Sequence, residues 1–173
     1  MDRETKIALG GGCHWCTEAV FQALKGVANV SQGYIASTNE NQTFSEAVVV
    51  HFNPEAISLQ TLIKIHLYTH KSTSAHAMRD KYRSAVYYFS DIQKAKVENI
   101  LHLLQADFEN GIITQALHFS EFKPSREAIQ NYYQKNPEKP FCERFINPKL
   151  KLLLNNYSHQ VNFDSIPNKL KHT

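Results

Sequence analysis

Cys13 and Cys16 stand three residues apart, directly behind three glycines, in the run Gly10-Gly11-Gly12-Cys13-His14-Trp15-Cys16. A CxxC pair can exchange thiol and disulfide, supply half of a zinc site, or contain one nucleophile beside an unrelated cysteine. At i and i+3 of a regular helix the two Cβ atoms lie about 5–6 Å apart. A disulfide needs roughly 3.5–4.5 Å, so a bridge here requires distortion of the turn. A structural zinc site needs two further ligands, and no second CxxC accompanies Cys142 and the nine histidines. No metal is therefore expected. Trp15 beside the thiol reads two ways: as the wall of a pocket for an apolar group, or as packing between helix and sheet.

The elements around this run decide where the thiol points. Residues 5–9 carry apolar Ile7, Ala8 and Leu9 and read as a short buried strand. Residues 17–25 place Ala19, Val20, Ala23 and Leu24 at helical spacing, with Gly26 as a stop. The glycines thus form a strand-to-helix turn, and Cys13 opens the helix. Free N–H groups and the positive dipole end at that position favour a thiolate, which makes the cysteine nucleophilic. Further strands are expected over 27–36, 46–52, 84–89 and 112–122. Helices are expected from an N-cap at Ser58 to about 69, over 91–109 and over 126–135, with a helix after Pro148 inside an apolar, basic stretch 142–154. Strands and helices are mixed and only some alternate. The expected fold is therefore α+β, a two-layer sandwich with a mixed sheet, built on a ferredoxin-like split βαβ core with extra elements. Residues 1–154 are expected as one domain and 155–173 as a polar C-terminal surface tail.

Composition narrows the class. The chain has 173 residues, 42% hydrophobic and 20% charged, with a formal net charge of +3, which fits one domain able to bury a core. That charge is too weak to argue for nucleic acid. No apolar run is long enough to span a membrane, and residues 1–6 are charged and lack the apolar core of a signal peptide. Three cysteines make no disulfide framework, so a reducing, cytoplasmic setting is expected. A monomer is expected as well.

The run GGGCHWCTEAVFQALKGV resembles the signature of the peptide-methionine sulfoxide reductases of the A type, the class specific for the S epimer. Glu18, Phe21, Leu24, Gly26 and Val27 match it. The likeness continues through Ser31 to Tyr34, Glu46-Ala47-Val48, Ile57-Ser58, Tyr82-Arg83-Ser84-Ala85, and Asn136-Pro137 on through Cys142 to Pro148-Lys149-Leu150. It departs in five places, two of them being Lys71-Ser72-Thr73 where the family has D-P-T, and the segment 122–130, where Arg126, Ala128 and Ile129 stand in place of E, Y and H. His14 stands where the family has a phenylalanine wall. About ten residues are missing ahead of Ser45-Glu46. The loop before Tyr82 is short and has no matching aspartate, although Asp80 lies near.

The resemblance implies reduction of methionine sulfoxide in proteins or peptides, with no bound cofactor. Cys13 would attack the sulfoxide sulfur. Glu46, kept protonated by apolar strand neighbours, would be the acid. Tyr82 would hydrogen-bond the oxygen, and Trp15 would hold the methyl group. His14 would weaken methyl binding, pair with the thiolate, or give a proton. Cys16 or Cys142 would resolve the sulfenic acid. Cys16 is favoured by proximity, while Cys142 lies in a segment bordered by Pro and Asn that reads as mobile. Thioredoxin or another thiol would be the reductant. Two other readings stand beside this one: a thioredoxin-like dithiol oxidoreductase, and a degenerate paralogue that binds methionine-containing peptides without turnover.

Overall fold

The computed structural model describes residues 5–171. The expectations for residues 1–4 and 172–173 lie outside them. Twelve regular elements occur there. Six are strands: β1 (Thr5–Gly10), β2 (Val27–Ala36), β3 (Ser45–Phe52), β4 (Ala85–Tyr88), β5 (Gln115–His118) and β6 (Glu121–Pro124). Six are helices: α1 (His14–Gln22), α2 (Leu59–Thr69), α3 (Asp91–Leu104), α4 (Tyr132–Lys135), α5 (Asn147–Asn156) and α6 (Asn168–Lys171). The strands form one mixed sheet in the order β5-β4-β1-β3-β2-β6. Only β4 and β5 pair in parallel.

Alternation along the central strands splits the core in two. Ile7 and Leu9 of β1, with Val48 and Val50 of β3, join Phe21, Leu62, Ile63, Val97, Leu150 and Leu153 in a large core beneath the helices. Ala8, Ala47 and Val49 face the other way, with Ile35, Ala85 and Tyr87, against Phe89, Leu117, Phe119 and Phe122. Both faces of β3 are thus buried, which is why residues 47–50 at its centre are an unbroken apolar run. Helix starts follow local rules. Ser58 Oγ accepts from Thr61 N at 3.0 Å to cap α2, and Ser90 Oγ accepts from Gln93 N at 3.1 Å to cap α3.

Three expectations are corrected. The single strand over 112–122 is two strands on opposite edges of the sheet. β5 adds to β4 and β6 adds to β2, and the chain crosses between them where Phe119 N donates to Tyr88 O and Ser120 N to Ala36 O. The sheet is therefore curled, so its edges come within one peptide of each other, and it folds over its own small core. The helix expected over 126–135 is a 3₁₀ turn (Glu127–Ile129) followed by α4, broken at Asn131, which is left-handed with φ 55°. The tail packs home. Leu24 bridges Val161, Lys25 N donates to Gln160 O, Asn162 N donates to Ala23 O, and Val161, Ile166 and Leu170 are buried. Three apolar residues spaced through a polar stretch suffice to anchor it, because each covers the core beside α1 or α5.

Candidate active site

The site begins at the turn from β1 to α1. A Cβ on Gly11 would lie 2.5 Å from His70 Cδ2, so only glycine lets the turn pass this ring. Cys13 is the N-cap residue of α1, and its carbonyl accepts from Cys16 N at 3.1 Å and Thr17 N at 3.3 Å. Its thiol makes no cap bond and is half-buried. The Cys16 thiol hydrogen-bonds it and holds the Cys13 thiol below its ordinary value. The N–H of Trp15 acts the same way, while burial and the charge of Glu46 oppose. Cys16 answers in the other direction: that hydrogen bond and its burial raise its thiol far above the usual range. The pair is therefore unequal, and Cys13 is the thiol that ionises more readily.

Sheet register brings the rest. β1 sets Gly10 opposite Ala47, which carries Glu46 to the end of the turn, and β2 sets Tyr34 opposite Glu46. Glu46 N donates to Lys81 O at 3.0 Å and Arg83 N to Ser45 Oγ at 2.7 Å, fixing the segment that bears Tyr82. Cys13, His14, Trp15, Glu46 and Tyr82 line one cavity of about 390 Å³, together with Tyr34, Phe44, Lys81, Ile129 and Phe141. Asp80 is exposed and does not line it.

The surroundings of Glu46 differ from the apolar setting expected for it. Its Oε1 receives the N–H of His14 at 3.3 Å and lies 3.2 Å from His14 Nε2, and its Oε2 faces Lys81 Nζ at 3.7 Å. Ser45 and Ala47 flank it, and the valines that point into the two cores begin only at Val48, leaving the carboxylate at a polar end of the strand. His14 is buried, with its ring edge-on to Tyr34 at 5.1 Å.

Trp15 stacks on Tyr132 with ring centroids 3.9 Å apart and an interplanar angle of 10°, and meets Phe141 edge-on at 5.2 Å. Glu18, one turn along α1, organises this aromatic group. Its carboxylate accepts from Asn131 N at 3.0 Å, Tyr132 N at 3.1 Å and Gln32 Nε2 at 3.0 Å. Sequence reasoning missed Tyr132, Phe141, Ile129 and Phe44, which come from segments without a periodic pattern. The left-handed Asn131 just ahead of Tyr132 was the one local cue.

Behind the cysteines lies a second, smaller cavity of about 40 Å³, lined by Cys13, Cys16, His66, His70 and Lys149 among others. Lys149 donates to the Thr69 carbonyl, and burial lowers its ammonium while both thiols pull it back up. His66 and His70 stand four apart on and just after α2, ring against ring at 4.1 Å. Among the described residues no three His, Cys, Asp or Glu side chains are grouped to hold a metal ion. Cys142 is fully buried in a π-helical turn (Cys142–Ile146) that runs into α5, so the mobility expected of its segment is absent from its packing.

A strand, a glycine turn and a helix bring the half-buried thiol of Cys13 to a pocket lined by aromatic side chains. The family model described as "Peptide methionine sulfoxide reductase" matches residues 5–161, and the chain belongs to that family. The peptide methionine sulfoxide reductase MsrA of Trichodesmium erythraeum (strain IMS101) is 34% identical over 171 residues, covering 90% of this chain and 97% of its own. The MsrA of Acinetobacter baumannii (strain SDF) is 32% identical over 164 residues, covering 87% and 94%. Among solved structures, reduced Mxr1 from Saccharomyces cerevisiae is similar with a TM-score of 0.69 and 25% identity, over 80% of this chain and 89% of that one. Mxr1 in complex with Trx2 shares the fold with a TM-score of 0.60 at 24% identity, over 75% and 84%. A thioredoxin-like assignment of the CxxC is set aside by this match. Among the described residues no helix is long and apolar enough to cross a membrane.

Proposed function

We propose that the protein reduces the S epimer of methionine sulfoxide, in proteins or peptides, through the thiol of Cys13. The observation that carries this reading is the lowered Cys13 thiol, set in a cavity with Trp15 and Phe141 on one side and Glu46 on the other. The Cys13 thiolate attacks the sulfoxide and takes its oxygen. Cys13 is oxidised by two electrons to the sulfenic acid, and the substrate sulfur is reduced to the thioether. Glu46 delivers the proton to the transferred oxygen, Tyr82 hydrogen-bonds it, and Trp15 with Phe141 holds the methyl group. Burying a methyl-sized group there is worth about 0.8 kcal/mol.

Cys16 then resolves the sulfenic acid, giving a Cys13–Cys16 disulfide and water. The hydrogen bond between the two thiols and the complete burial of Cys142 support Cys16 over Cys142. An external dithiol of the thioredoxin kind reduces the disulfide by exchange. The yeast relative solved in complex with Trx2 supports this partner. The strand order β4-β1-β3-β2, with α1 and α2 as crossovers, supports a ferredoxin-like split βαβ core extended by β5 and β6. We read the whole of residues 5–171 as one domain acting as a monomer. Three free cysteines fit a reducing cytoplasm.

The test is incubation of the purified protein with each epimer of a methionine sulfoxide peptide and dithiothreitol. Selective reduction of the S epimer supports the reading. Tight peptide binding without reduction would leave the non-catalytic reading in its place.

A further inference from the structure

His14 Nδ1 lies 2.9 Å from the carbonyl oxygen of Gly33. A carbonyl only accepts, so Nδ1 carries a proton and donates it. The opposite ring nitrogen, Nε2, lies 3.2 Å from Glu46 Oε1, with side chains only 3% and 8% exposed. Without a proton between them, two lone pairs would face each other in a buried site. One proton therefore occupies that contact. It sits on the ring, as imidazolium against carboxylate, or on the carboxyl, as acid against neutral imidazole. Both forms carry the same net charge and titrate as one unit.

The fold locks this arrangement. Gly33 is paired on both sides, to Ala47 of β3 and Pro124 of β6, and a Cβ there would come 2.2 Å from the Lys123 carbonyl. The acceptor for Nδ1 is thus fixed backbone. Tyr34 covers the imidazole edge-on from β2. Lys81, from the segment before β4, faces the other oxygen of Glu46. Cys13, from the turn ahead of α1, and Tyr82 complete the set of groups facing the pair inside the same cavity. Burial pushes His14 below the usual histidine range, with Lys81 adding to the fall. The Gly33 carbonyl and the charge of Glu46 pull it up.

We propose that His14 and Glu46 work as one acid, a dyad in which His14 holds the proton that Glu46 hands to the sulfoxide oxygen. This rests on the reductase reading above and assigns His14 as a positioning residue acting through Glu46. In the step itself the S=O bond breaks and the Cys13 S–O bond forms. The thiolate sulfur gives up two electrons to the substrate sulfur, and the dyad proton goes to the transferred oxygen. Neutral imidazole and a carboxylate facing Lys81 remain. The proton returns when Cys13, freed as a thiol by the external dithiol, next ionises.

Two measurements decide it. In spectra of protein carrying nitrogen-labelled histidine, Glu46→Gln removes an upward pull on His14 and should lower its titration by about one unit or more. An unmoved His14 signal overturns the shared proton without any reference to turnover. In single turnovers on a peptide carrying the S-epimer sulfoxide, with no reductant, methionine formed is followed from about pH 5 to about pH 9. His14→Phe should move the basic limb of the rate to lower pH and cut the rate at neutrality about tenfold or more. His14→Gln, which also carries no titrating proton, should do the same. A basic limb unchanged in both variants, with only the half-saturation concentration altered, overturns the dyad and leaves His14 as a wall of the pocket. Wild-type protein inactive on both epimers overturns the reductase reading and the delivery step with it. That outcome is distinct from a working wild type whose variants keep its pH profile.

Discussion

Glu18 and Glu46 are both buried carboxylates, 1% and 6% exposed, and both reach across the fold to groups far away in sequence. Their partners differ in kind. Glu18 accepts from two backbone amides and the side-chain amide of Gln32, donors that cannot leave their places. Glu46 accepts one amide, and otherwise faces an imidazole and an ammonium, both able to give up a proton, at the edge of a cavity. A carboxylate surrounded by fixed dipoles holds structure. One that shares its space with titrating groups and an open volume can do chemistry. Burial alone does not separate the two.

The sharpest break of this comparison is at Glu46. Glu46→Gln should lower the single-turnover rate by about a hundredfold or more, because it removes a general acid, while leaving the urea midpoint almost unchanged. A loss confined to the half-saturation concentration would make Glu46 a binding group. Glu18→Ala should act the other way round. It strands three donors, at about 1–3 kcal/mol for each unsatisfied group, so a loss of roughly 3 kcal/mol or more in urea denaturation is expected. An unchanged stability would mean that water replaces the carboxylate.

Between them lies the aromatic group that Glu18 supports. Tyr132→Leu deletes the stack on Trp15, worth about 1 kcal/mol, and should raise the half-saturation concentration about fivefold with little change in the rate at saturation. A fall in that rate instead would tie Trp15 to the chemical step.

Two pH effects are smaller. Burial raises the Glu18 carboxyl above its ordinary value, against its three hydrogen bonds. A raised folded-state value means a stability contribution fully present below the unfolded pKa and lost as pH rises through the folded one. Compared with Glu18→Gln, the wild type should therefore lose stability as pH climbs through and just above the carboxylate range, read from melting temperatures at several pH values. The charge of Glu46, by contrast, opposes ionisation of Cys13. Glu46→Gln should shift the pH at which iodoacetamide labels Cys13 slightly downward, even as turnover is lost. Faster labelling of Cys142 than of Cys13 in the wild type would contradict the site itself.

The strand–turn–helix around Cys13 was legible in the sequence because every signal for it is local. Apolar residues end at Leu9, three glycines permit the close turn past His70, and helical spacing resumes from Trp15. Strand β3 and the serine caps of α2 and α3 were legible for the same reason. The His14–Glu46 contact was not, since it spans 32 positions and depends on the β1–β3 and β2–β3 registers. Nor were the Trp15–Tyr132 stack and its support from Glu18, which join residues more than a hundred apart. The split of one apolar stretch into β5 and β6 followed from the curl of the whole sheet, and the docking of the C-terminal segment from three buried side chains in a polar run. Periodicity and caps describe how a residue relates to its near neighbours. Which thiol is activated and which carboxyl meets an imidazole are set by strand pairing and packing, through distances that only the assembled fold defines.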